Sequence, residues 1–338
     1  MILNVEMRGT STLKLSGNNY SVSNIEFVDG DSNFKPSGFI VEVSAENLKL
    51  INFAMKNVKC GVADLDYICV KTAAKNFQMY NSRLNGKFNN GVFLRLDFPL
   101  NNYLKCCVFE NFNKTASANG GEMIRLSTSQ FEKNDANCVI DQCYFSKCLG
   151  DPEVVSVKCS SNTIKNCIFE NNGSSKLVLR HAHKAKISNC YFSGSGIRVY
   201  GTNHVIEKIQ LCNEANILLD NKSGSSYVRA TNVTVTDVYF DNVKTPVTNN
   251  GKDCTVKNVA KGLVINKKDL LSVIKTDDPP PPTPVDPTDP VDPPTDPTVP
   301  KIIVIPEVVD PKKIYKLNPA LTPLQIDEIL TQFELKLD

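Results

Sequence analysis

The sequence predicts an all-β protein: a right-handed parallel β-helix solenoid, then a proline-rich linker and a short C-terminal tail with one helix. Three observations carry this. A strand-plus-aromatic signature recurs at a period in the twenties, short apolar strands fall between its copies, and the recurrence stops just before a run of prolines. The repeats lack helical periodicity.

The signature is a short alternating strand that ends in an aromatic. It appears at Asn24-Ile-Glu-Phe27, Ile51-Asn-Phe53, Lys105-Cys-Cys-Val-Phe109, Asp141-Gln-Cys-Tyr-Phe145, Lys165-Asn-Cys-Ile-Phe169, Ser188-Asn-Cys-Tyr-Phe192 and Thr236-Asp-Val-Tyr-Phe240. Asn, Gly or Ser follows soon after, as in Glu170-Asn-Asn-Gly173. Between copies lie Met123-Ile-Arg-Leu126, Val154-Val-Ser-Val157, Leu177-Val-Leu-Arg180 and Gly196-Ile-Arg-Val-Tyr200. Two or three short strands per turn, joined by Asn/Gly/Ser bends, make one rung of a parallel β-helix.

The repeats define a domain over 1–276. Residues 277–300 are a Pro/Asp/Thr tract, which favours extended polyproline II and reads as a stiff solvated spacer. In the tail, 301–338, Lys301-Ile-Ile-Val-Ile305 reads as a strand. Thr322 caps a helix with Pro323 at its first position and apolar Leu324, Ile326, Ile329, Leu330, Phe333 and Leu337. So short a tail reads as a docking or self-association element.

Composition narrows the function. A net charge of +2, 22% charged residues and no basic block argue against nucleic acid as a partner. No run of about 18 apolar residues offers a membrane span. The start, Met1-Ile-Leu-Asn-Val-Glu-Met-Arg, lacks a signal-peptide pattern, so localisation is left open. Twelve cysteines would suit a disulfide scaffold, but Cys107, Cys143, Cys167 and Cys190 hold one place in successive repeats. That placement reads as a ladder of reduced, buried thiols.

Chemistry-bearing residues concentrate in 119–204. There lie Asn119-Gly-Gly-Glu122, Asp151-Pro-Glu-Val-Val-Ser-Val-Lys158, Leu179-Arg180-His181, Gly196-Ile-Arg-Val-Tyr-Gly201 and His204, and the window holds all three histidines of the chain. Lys158 and Arg180 are 22 residues apart and Arg180 and Arg198 are 18 apart, so all three are expected to stack on one face.

In order and spacing, these motifs resemble the parallel β-helix polysaccharide lyases that include alginate lyases and chondroitinase B. The resemblance runs from about Asn18 to His204 and is densest from Asn119. It implies a calcium ion held by Asn119, Asp151 and Glu153, with Lys158 as base and Arg180 completing the catalytic pair. His181, Arg198 and His204 are the candidate substrate-binding residues. Two positions depart from the family pattern: Asp151 where Glu is usual, and Ala182 where Gly follows Leu-Arg-His. The family's earlier N-terminal rungs and cap have no counterpart before Met1, and the match fades after His204.

The implied reaction is calcium-assisted β-elimination on a uronate-containing polysaccharide, of alginate or dermatan/chondroitin type. A cation on the uronate carboxylate stabilises the enolate-like transition state, and a neutral lysine takes the C5 proton. Arg180 either holds the carboxylate or helps protonate the leaving oxygen. The alternative is a carbohydrate-binding β-helix, weak or inactive in turnover, on a virion or cell surface. Such substrates imply a secreted or surface-associated protein.

Overall fold

The computed structural model describes residues 3–5, 12–28, 38–58, 60–112, 120–224 and 227–274. The predicted linker and tail, with the Thr322 helix, lie outside them, as does Asn119. The described chain winds into a parallel β-helix of two sheets, with 17 and 10 strands. All strand pairings run parallel, rung on rung: Thr163 faces Lys186, Lys186 faces Val205, and Val205 faces Thr234.

The Asn that recurs ahead of the inward-packing segments has a conformational cause. It sits at a corner where the long sheet bends, with a left-handed backbone at Asn24, Asn52, Asn81, Asn166 and Asn189. Asn tolerates this region better than other side chains bearing a Cβ, and its amide can bond locally. The corner amides bond up the stack: Asn166 donates to Asp141 at 2.7 Å, and Asn189 donates to Asn166 at 2.8 Å.

The residues after each corner point inward. Phe109, Phe145, Phe169 and Phe192 stack at centroid separations of 5.1, 4.6 and 4.7 Å, with their rings nearly parallel. Beside them run the buried thiols of Cys107, Cys143, Cys167 and Cys190. All twelve cysteines are free, as their in-phase placement predicts.

The solenoid ends differently from the expectation of repeats to 276. After the last strand, Thr255–Lys261, the chain turns back along the long sheet and forms a helix, Lys267–Ile274. Gln210 anchors the return: its amide donates to the Gly262 carbonyl and its oxygen accepts from the backbone of Val264 and Ile265. Lys267 pairs with Glu170, four rungs back. Asn266 caps this helix, its side chain accepting from the Lys268 amide at 2.9 Å.

Candidate active site

The ten-stranded sheet builds the site by simple alternation. Ile124 and Leu126, Val155 and Val157, Leu177 and Leu179, and Ile197 and Val199 point inward. Between them Arg125, Ser156, Val178 and Arg198 form one outward column. Directly after these strands a second column begins. The Lys158 amide donates to Leu126 and the Arg180 amide to Val157, so Lys158 and Arg180 occupy consecutive rungs. Tyr200 follows them, bonded to Leu179.

Arg198 therefore does not extend the Lys158–Arg180 stack as its spacing predicted. It pairs with Val178, and Tyr200 takes the place above Arg180. The rung here spans twenty residues, as from Val178 to Arg198, so a separation of eighteen leaves Arg198 two positions ahead of the place above Arg180.

Lys158 lies 3.7 Å from Glu122 and is 16% exposed. Burial lowers its pKa, and Arg125 and Arg180 push the same way, against Glu122 and Glu153. Burial pushes the Glu122 carboxyl up, but Arg125 and Lys158 hold it below the ordinary value. Arg125 grips Glu122 through two nitrogens, at 3.3 and 3.0 Å.

On the same face Arg180 donates to Glu153 Oε1 at 2.9 Å. A register shift between Glu153 and Val155 sets the Glu153 side chain, the kind of bulge that re-aims residues beside reactive centres. Asp151 accepts from the backbone amides of Gly121 and Glu153, each at 3.0 Å. Its carboxyl is pushed up by burial and by the negative charges of Glu122 and Glu153.

Hydrogen-bonding capacity is left unspent here. Glu153 Oε2, Ser156 Oγ and Arg180 Nε are buried without a hydrogen-bond partner. Such atoms in a native structure call for an explanation, a bound ion or ligand among them. Among the described residues, no three His, Cys, Asp or Glu side chains are arranged to hold a metal. The expected calcium set needs only the oxygens of Asp151 and Glu153 plus Asn119, and the free Glu153 Oε2 fits a hard cation.

The histidines divide. His181 is buried beside Arg180, with Nδ1 3.7 Å from Glu132. Its pKa is lowered by burial, then by Arg180 and Lys158, with Glu132 opposing. His204 stands elsewhere, 1% exposed. Its Nδ1 accepts from the Ala185 amide at 3.0 Å, which leaves the proton on Nε2 for the Tyr200 carbonyl at 2.9 Å. It is an internal strut beneath the face where sequence reasoning placed it as a sugar ligand. Gly201 makes room for it: a Cβ there would meet the Ala182 carbonyl at 1.9 Å and His204 Nε2 at 3.1 Å. Arg198 is clamped by Nε and Nη2 to Asp220 Oδ2, at 2.9 and 2.8 Å.

Sequence reasoning assigned no role to Glu122, Arg125, Glu132 or Tyr227. Arg125 was legible as the outward residue of an alternating strand. Glu132 and Tyr227 sit in irregular segments that carry no periodic signal. Glu132 also accepts from His183 Nε2 at 3.2 Å, because His183 Nδ1 already receives the Thr202 amide.

With this geometry in hand, the fold and motifs define a parallel β-helix polysaccharide lyase family. Residues 3–275 match the family profile described as chondroitinase B, and the chain belongs to that family. No curated protein matches the sequence. Among solved structures, it resembles a mannuronic acid specific polysaccharide family 6 lyase from the human gut microbiota. The TM-score is 0.62 at 17% identity, over 79% of this chain and 74% of that one. A family 6 polysaccharide lyase from Pseudopedobacter saltans gives 0.56 at 16%, over 81% and 84%. The family 6 alginate lyase AlyGC gives 0.57 at 18%, over 76% of this chain but 45% of its own length.

Proposed function

We propose that this protein is a polysaccharide lyase that cleaves a uronate-containing chain of alginate or dermatan/chondroitin type by β-elimination. The observation that carries the reading is the half-sequestered Lys158 amine on the rung beside Arg180, with unspent polar atoms around the pair.

Lys158 acts as the base. Burial and two neighbouring guanidinium groups favour its neutral form, which accepts the C5 proton through the nitrogen lone pair. The electrons of the C5–H bond form the C4–C5 double bond, the C4–O bond breaks, and the departing glycosidic oxygen takes up a proton. Arg180 presents donors to the carboxylate or to that oxygen, and Glu153 fixes its orientation. Asp151 and Glu153, with Asn119, would hold calcium. When bound, that ion neutralises the uronate carboxylate and so acidifies the C5 proton.

The test is ultraviolet absorbance of the new double bond on alginate, dermatan sulfate and other polyuronates, with calcium and with chelator. Calcium-dependent growth on one polymer supports the reading and names the substrate. Binding without absorbance on any polymer overturns turnover and leaves a carbohydrate-binding β-helix.

A further inference from the structure

Paired positions Lys186, Val205, Thr234 and Thr255 are 19, 29 and 21 residues apart, so one rung carries a surplus of eight to ten residues. The surplus leaves the short sheet after Leu219 and is closed at its base by the Ala230 amide on the Asp220 carbonyl, 3.0 Å. It does not project away from the solenoid. The Gly201 amide donates to the Val228 carbonyl at 2.7 Å, which ties the excursion to the preceding rung. Gly224 and Tyr227 pair through both backbone bonds, at 2.9 and 3.3 Å, and so narrow its neck.

That path brings Tyr227 to a specific place. Its ring packs on the Tyr200 ring at 4.6 Å between centroids. The Arg180 guanidinium lies 5.5 Å from the Tyr227 ring centre, within the range of cation–π attraction. On the far side Arg198 lies 5.2 Å from the Tyr200 ring and is locked to Asp220. Arg180 itself has one anchor, Glu153, and an unpartnered Nε. A guanidinium with one ionic anchor can still swing about it. An aromatic ring against it removes that freedom.

We propose that Tyr227 is a positioning residue for Arg180: the excursion between Asp220 and Ala230 carries its ring back to the reacting rung to fix the guanidinium. The consequence for catalysis rests on the lyase reading of Arg180, but the contact itself does not. A ring without the hydroxyl keeps the interaction, whereas a branched aliphatic side chain of similar reach loses it.

The experiment uses the full-length protein with Tyr227→Leu and Tyr227→Phe, each checked by circular dichroism against the unaltered chain. Arginine-labelled samples are read by NMR at the Arg180 Nε–Hε signal, assigned by its loss in Arg180→Lys. Ring-current displacement of that signal is expected in the wild type and the Phe variant, and its collapse in the Leu variant. On a cleaved polymer, the Leu variant should lose about tenfold in kcat with KM within about twofold, since cation–π contacts of this kind are worth that order. The Phe variant should restore both. An Arg180 signal that stays in place in the Leu variant overturns the proposal, as does a Phe variant that behaves like Leu. If the wild type cleaves no polyuronate, the lyase reading fails and the NMR arm alone decides whether Tyr227 fixes Arg180.

Discussion

The corner of the long sheet and the outward face of the short sheet are built from the same rungs, yet they treat polar groups in opposite ways. At the corner, Asn166 donates to Asp141 and accepts from Asn189, and the phenylalanines beneath stack nearly parallel from rung to rung. On the outward face, ladder order gives way to a bulge at Glu153, a slipped Arg198 and buried atoms with no partner. Repetition stabilises a scaffold because each rung satisfies the next. A reactive surface needs groups whose partner arrives from outside.

The largest test of this contrast is Lys158→Ala. Removing the proposed general base should cost about 10³-fold in turnover. Because the face adds little to scaffold order, thermal unfolding should stay within a few degrees. A large drop in the melting midpoint would show that the face, too, is structural.

Phe169→Ala attacks the other side. Phe169 is fully buried between Phe145 and Phe192, so truncation should destabilise by about 3–5 kcal/mol, measured by urea unfolding. Substrate binding at 25 °C should change little in whatever fraction remains folded.

His204 offers a pH test of comparable size. Burial pushes its pKa down to about 4 from 6.5, so the folded state resists protonation that the unfolded chain accepts. Its stability contribution is therefore intact above about pH 6.5, falls as pH drops, and levels off near pH 4. The loss should reach about 3 kcal/mol. Urea midpoints at pH 7 and 5, compared between wild type and His204→Gln, should show a steeper fall in the wild type.

Two smaller effects sharpen the comparison. Asn166→Ala forces a less tolerant residue into a left-handed corner and breaks two ladder bonds, which should cost about 1–2 kcal/mol in urea unfolding. The rate should rise with pH as Lys158 loses its proton. With its pKa lowered by burial, the plateau should come below the range of an ordinary lysine, seen in a kcat/KM profile.

Much of this was legible in the chain. The Asn-Cys-aromatic repeat encodes corner, thiol and stack together, because each position has one conformational duty. The adjacency of Lys158 and Arg180 followed from their spacing alone. What failed to read were places where a rung changes length. The rung shortens from twenty-two residues to twenty, which sets Arg198 beside Val178, and the long step after Val205 carried Tyr227 back to Arg180. The role of His204 was hidden for another reason: motif order shows that a histidine recurs, not which way it points. The return of the chain at Gly262 depends on Gln210, some fifty residues earlier, a pairing that no local pattern announces.

The unpaired thiols give the molecule a built-in chemical footprint. Nine of the twelve cysteines are buried and three are half-buried, and they sit on rungs from Cys60 to Cys254. An alkylating reagent reaches a buried thiol only when its rung opens. Counting labels by mass, site by site, would thus trace the order in which the coil unwinds, with no probe added to the chain.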